Sequence, residues 1–136
     1  KYFFLVNDIH PVMKRYYYPH RYSTNPADTP RIKAQALITA RDRWRVLNDA
    51  LAADGPYLLG ERLSVADIYM AFLAGSGFEP PMRLLDEFPA VRACYGLVKA
   101  RPRITKVLKE IETQMQDFVA ARASGSLASM EAAPRR

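Results

Sequence analysis

Cysteine occurs once in the 136 residues, and histidine only twice. A lone Cys94 closes no internal disulfide, which excludes a bridged secreted scaffold. No stretch reaches the roughly 18 consecutive apolar residues of a membrane span, so a transmembrane chain is not expected. Lys1 stands where an initiator Met would be, with no charged n-region or cleavage site after it, so no targeting peptide is read and the chain is expected to begin inside a longer protein. Together these lacks point to a cytoplasmic location.

Other shortages remove whole classes of chemistry. No glycine-rich loop ends in Lys-Ser or Lys-Thr, which excludes the phosphate-cradling P-loop. His10 and His20 sit ten residues apart across Pro11 and Pro19, and no helix presents two ligands at i and i+4, so no metal site is expected. Gly75-Ser76-Gly77 sets a serine between glycines, but no strand precedes it, and a helix stop is the better reading than a nucleophile elbow. Like charges never run to five, and the arginines spread from Arg15 to Arg136, so the net charge of +6 reads as a solvated surface. Nucleic-acid binding is the lesser reading.

What is abundant is apolar and helical. Hydrophobic residues make up 49% of the chain and charged residues 25%, a composition that folds around one core. Seven of the fifteen aromatic residues fall within the first 22 positions. There Phe4, Leu5, Ile9, Val12, Met13, Tyr16 and Tyr17 recur at three- and four-residue steps, the period of a helix with one apolar side. Pro11 lacks an N–H and presses on the carbonyl of Asn7, so a kink is expected there.

Residues 19–30 carry three prolines and read as a loop. Thr29 before Pro30 suggests an N-cap and a long helix with an apolar stripe of Ala34, Leu37, Ile38, Trp44, Leu47 and Leu51, ending near Asp54-Gly55-Pro56. Ser64 and Asp67 stand three residues apart before an apolar run, as in a capping box: each side chain would accept the other's backbone N–H, with Leu63 and Ile68 as the flanking staple. That helix should run to about Ala74. Pro89 opens another with Val91, Cys94, Tyr95 and Val98 on its apolar side, where a buried, inert thiol is expected. Pro102 starts the last, with Ile104, Val107, Leu108, Ile111, Met115, Phe118 and Val119 at helical steps. No segment alternates as a strand does, so the expected fold is all-α, a bundle of five main helices.

For chemistry, the residues themselves leave only the aromatic first segment, in which Met13, Tyr16 and Tyr17 line an apolar pocket or simply pack in the core.

The succession of a kinked helix bearing Ile9-His10-Pro11, a long amphipathic helix, then GPYLLGERLSVADIYMAFL and FPAVRACYGLVKARP resembles the C-terminal helical domain of cytosolic glutathione S-transferases, especially bacterial members. The resemblance covers residues 1–121, and 122–136 is expected to be a flexible tail. Leu59-Gly60 through Asp67-Ile68 is its most specific part. In that family a preceding thioredoxin-like domain binds glutathione and supplies the Tyr, Ser or Cys that handles the thiolate; no residue here matches that role, and no catalytic residue is assigned. The resemblance implies that His10 lies near glutathione and that Met13, Tyr16, Tyr17 and Ser76 line the electrophile pocket; some bacterial relatives place a tryptophan where Ser76 stands. Ser64 and Asp67 are implied as folding residues. Glutathione as co-substrate, an apolar electrophile, a homodimer and detoxification by conjugation follow from the same resemblance. A non-catalytic protein-interaction module of the same fold is the alternative.

Overall fold

The computed structural model describes residues 1–75 and 82–123. The chain divides into two compact units, Lys1–Ala100 and the segment from Arg101 onward. Among the described residues there is no strand beyond one isolated bridge between Tyr57 and Gly60, so the fold is all-α as expected.

The first unit opens with α1 (Tyr2–Phe4), a π-helical turn (Leu5–Ile9) and α2 (His10–Tyr17), which follow one another without a break. The kink expected at Pro11 is instead this π turn just ahead of it. The His10 N–H reaches back five residues to the Leu5 carbonyl, and the wider turn makes room around the Asn7 carbonyl that the Pro11 ring would otherwise crowd. Leu5, Ile9, Val12 and Met13 are buried along the inner side.

Two 3₁₀ turns (Pro19–Arg21 and Pro26–Asp28) lead to α3 (Thr29–Asp54). Thr29 is not the N-cap: it is already helical, at φ −51° and ψ −50°. The capping is done earlier by Asn25, whose Oδ1 accepts the Ala27 N–H at 3.1 Å, so the chain turns into helical geometry four residues sooner than the Thr-Pro pair suggests. The expected stripe also shifts. Ala36, Ala40, Trp44, Leu47 and Leu51 are buried, whereas Ala34 and Ile38 are exposed and Leu37 is half-buried. Two alanines on the face toward α2 let the helix axes approach, which the bulkier residues would prevent.

At the end of α3, Gly55 donates to the Leu51 carbonyl at 2.8 Å, and a Cβ there would collide with that oxygen, so the close approach requires glycine. The bridge from Tyr57 to Gly60 then turns the chain with Gly60 at φ +105°, a left-handed conformation that L side chains rarely adopt. These turns deliver Leu58, fully buried, to the start of α4 (Val65–Gly75).

Helix α4 is apolar on most of its circumference and buries Ala66, Met70, Ala71, Leu73 and Ala74 together with Asp67. It packs on α6 (Pro89–Lys99), which also lies against α3, and reaches the π turn on its other side. A short α5 (Leu84–Glu87), absent from the sequence-based expectation, precedes α6. Arg41 on α3 clasps Glu87 through two hydrogen bonds of 2.9 and 3.2 Å. The Asn48 side chain accepts the Ala90 N–H at 2.9 Å, so the start of α6 is capped from a helix 42 residues away. Val91, Cys94 and Val98 are buried as expected, and Trp44, fully buried at the centre, has an indole N–H without a partner among the described residues. Truncating such a tryptophan to alanine costs about 3–5 kcal/mol.

The second unit is α7 (Pro102–Ala123), opened by Pro102 and with its first turn closed by the Thr105 N–H on the Arg101 carbonyl at 2.9 Å. Of the tail expected over 122–136, residues beyond Ala123 lie outside the described part, as does Ser76.

Candidate functional site

Asp67 is fully buried, and its surroundings explain why a carboxylate is tolerated there. Oδ2 accepts the Ser64 N–H at 2.8 Å, the half of the capping box that reaches back. The other half differs from expectation. The Ser64 hydroxyl does not accept the Asp67 N–H but donates to Oδ2 at 2.6 Å, because a bond to an ionised acceptor is stronger than one to a neutral hydroxyl; the Asp67 N–H turns to the Ser64 carbonyl at 3.2 Å. Oδ1 accepts the Leu58 N–H at 2.6 Å, tying the preceding turn to the helix. The staple is only partly covered, since Ile68 remains exposed.

Cys94 of α6 points its sulfur at the same carboxylate, 3.7 Å from Oδ1. Burial first, and then the negative charge of Asp67, push its thiol pKa up to about 12. A thiol so placed stays protonated, donates weakly to Asp67 and is no nucleophile. Ser64, Asp67 and Cys94 are parts of the framework.

The groups able to meet a ligand lie on the opposite flank of α4. His10, the first residue of α2, has Nδ1 at hydrogen-bond distance, 2.6 Å, from the Tyr69 hydroxyl. Burial, and secondarily the charge of Lys14 one turn on, lower the imidazole pKa below its ordinary value. A neutral ring carries one N–H and one acceptor nitrogen, and a phenol hydroxyl can meet either. Burial, and then Tyr2, raise the Tyr69 phenol. Around the pair stand aromatic faces: Tyr2 lies 5.8 Å from the Tyr69 ring, Phe72 stacks on it at 6.3 Å, and Phe3, 78% exposed, meets the edge of Tyr2. The arrangement offers an apolar, partly open rim with one neutral hydrogen-bonding imidazole.

The other residues singled out in the sequence are placed unevenly. Met13 is buried in the core beside Val12, Tyr16 is half-buried, and Tyr17 is 45% exposed. Tyr16 and Tyr17 meet edge to face at 5.2 Å, one to two turns further along α2 than His10. Tyr69, Tyr2 and Phe72 were missed as companions of His10. The available signal was the aromatic spacing of Tyr69 and Phe72 after the capping box, but nothing local ties that helix to α2.

Among the described residues, no three His, Cys, Asp or Glu side chains gather to hold a metal ion, and no helix is long and apolar enough to cross a membrane. A comparison with curated proteins finds no match to the chain. The family model described as glutathione S-transferase, C-terminal domain, matches residues 7–110, a span that takes in His10, the buried Asp67 with its ligands and the whole α3–α4–α6 core. On that match and the all-helical architecture, the chain belongs to the glutathione S-transferase C-terminal domain family.

Proposed function

We propose that this chain is the substrate-pocket and dimerisation half of a glutathione S-transferase-like protein, in which a thioredoxin-like domain presents the glutathione thiol and the full protein conjugates it to apolar electrophiles. The observation that carries this reading is the 2.6 Å contact between His10 and Tyr69 at the edge of an open aromatic rim. In the mechanism, Nε2–H of His10 donates to a carbonyl or carboxylate of glutathione. Tyr2, Phe3, Tyr69 and Phe72 form the apolar wall against which the electrophile rests, with Met13, Tyr16, Tyr17 and Ser76 as further pocket residues. Holding both reactants in register lowers the entropic part of the barrier. The chain's only thiol is buried and protonated, so the thiolate is glutathione's own.

The test is conjugation of an aryl halide by the chain alone and by the chain joined to a thioredoxin-like domain. The chain alone should show no turnover, and the joined protein should turn over and be retained on glutathione resin. Substituting His10 by alanine should raise KM for glutathione, and Phe3 by alanine KM for the halide. The absence of both turnover and retention in the joined protein defeats the reading.

A second reading, a non-catalytic assembly module of the same fold, is favoured by the outward-facing Ile38 and Val46 on α3, both more than half exposed. Stable co-purification with a different protein, abolished by charge at Ile38 or Val46, selects it over homodimerisation through the same side chains.

A further inference from the structure

The far end of α2 carries a second aromatic group, of which the transferase reading uses Tyr16 and Tyr17 alone. Tyr16, Tyr17, Tyr18 and Tyr22 alternate there with cations, and the side chains interlock. The Arg15 guanidinium lies 5.6 Å over the Tyr22 ring, Arg21 lies 4.7 Å over Tyr18, and the Lys33 ammonium reaches from α3 to sit 5.3 Å over Tyr16. These contacts join the last turn of α2, the 3₁₀ turn at Pro19–Arg21 and the first turns of α3 into one surface.

Its charge is of one sign. Residues 14–33 hold five cations (Lys14, Arg15, Arg21, Arg31 and Lys33) against one carboxylate, Asp28, which takes the Ser23 hydroxyl at 2.6 Å. None of the five forms an ion pair among the described residues. Further along α3 the arginines are neutralised: Arg41 by Glu87, Arg43 by Asp8 and Arg45 by Asp42. These five cations of residues 14–33 thus stay without ion pairs among the described residues, whereas those three arginines of α3 are neutralised.

Two of the rings are open, Tyr17 at 45% and Tyr22 at 47% exposed, and a guanidinium stacked on a phenol keeps its N–H edge free. Cations that can meet phosphates, interleaved with ring faces that can take bases, form the pattern by which proteins hold unpaired strands. A lipid surface would call for exposed Trp, Phe or Leu to insert, and the large exposed apolar side chains of residues 14–33 are these two tyrosines alone.

We propose that this surface binds single-stranded nucleic acid, with phosphates on Arg15, Arg21 and Lys33 and bases stacked on Tyr17 and Tyr22. It uses neither His10 nor Tyr69, and it shares Tyr17 with the pocket proposed above.

The test is fluorescence anisotropy of a labelled oligothymidylate of about twelve nucleotides titrated with the chain over a series of salt concentrations. Binding should weaken linearly in log K against log salt, and Arg15→Gln and Arg21→Gln should each shallow the slope by about one. Tyr17→Ala and Tyr22→Ala should weaken binding about five-fold or more each at unchanged slope, Tyr17→Phe should retain it, and Arg83→Gln just ahead of α5, where Asp86 pairs with the arginine, should leave it as it was. Thermal melting of each variant reports whether the fold is intact, and the phenylalanine variant keeps the test decisive if an alanine variant unfolds. The proposal is overturned by no binding at about 50 mM salt, by affinity indifferent to both tyrosines, by an equal loss in Arg83→Gln, or by tighter binding to phosphatidylserine vesicles than to the oligonucleotide.

Discussion

The carboxylate of Asp67 accepts the backbone N–H of Leu58, nine residues earlier, at 2.6 Å in the closed interior of the bundle. With the two bonds from Ser64 it holds the turn before α4, the start of α4 and the core residue Leu58 in one unit. Replacing Asp67 by alanine strands two backbone donors, and each buried unsatisfied donor costs about 1–3 kcal/mol. The expected loss is therefore about 3 kcal/mol or more in urea denaturation, well above the roughly 1 kcal/mol of an exposed cap. Ser64→Ala, which removes only the hydroxyl bond, should cost less than half as much; equal losses would show that the Leu58 link is energetically idle.

Cys94 makes stability fall in alkali. Its folded pKa of about 12 lies above the ordinary value of 9.0, so folding keeps the thiol protonated where the unfolded chain ionises. Stability from this group is full below pH 9 and is lost as pH rises toward 12, at up to about 1.4 kcal/mol per pH unit. The raised phenols of Tyr17 and Tyr69 act in the same direction, so the comparison is between wild type and Cys94→Ala. The variant's stability curve should be the flatter of the two above pH 9. A disulfide reagent at neutral pH should leave Cys94 unmodified until denaturant is added.

His10 has the opposite sensitivity. Its folded pKa lies below the ordinary 6.5, so the unfolded chain takes up a proton more readily, and the stability it contributes is present above pH 6.5 and lost as pH falls through the lowered value. Imidazole resonances followed by NMR should titrate below 6.5. Removing the nearby charge with Lys14→Gln should move the midpoint upward, though not fully to the ordinary value, because burial is the larger cause. A midpoint unmoved by Lys14→Gln would mean that burial acts alone.

Much of the helical succession was legible because its punctuation is local. Pro30, Pro89 and Pro102 sit in the first turns of α3, α6 and α7, and Gly75 closes α4 within a residue of the expected end. Asp67 was recognised as a capping residue from its spacing to Ser64, but its bond to Leu58 was not, since nothing in the segment announces which distant donor turns inward. The face of α3 was misjudged for a related reason. Ala34, Leu37 and Ile38 form as good an apolar stripe as Ala36 and Ala40, and only the position of α2 decides between them.

The candidate site divides along the same line. His10 was marked by its place before Pro11 and by family resemblance, while Tyr69, 59 residues away, entered only when α4 was laid against the π turn. By itself, then, the sequence determined an all-α chain and most of its helix limits, because proline's missing N–H, the freedom of glycine and the 3.6-residue period act over a few residues; its family was legible through the resemblance of its motifs. The tertiary structure decided which carboxylate is buried and which tyrosine lies against His10. Those depend on which remote side chains are brought within a few ångströms, where hydrogen bonds and burial take effect.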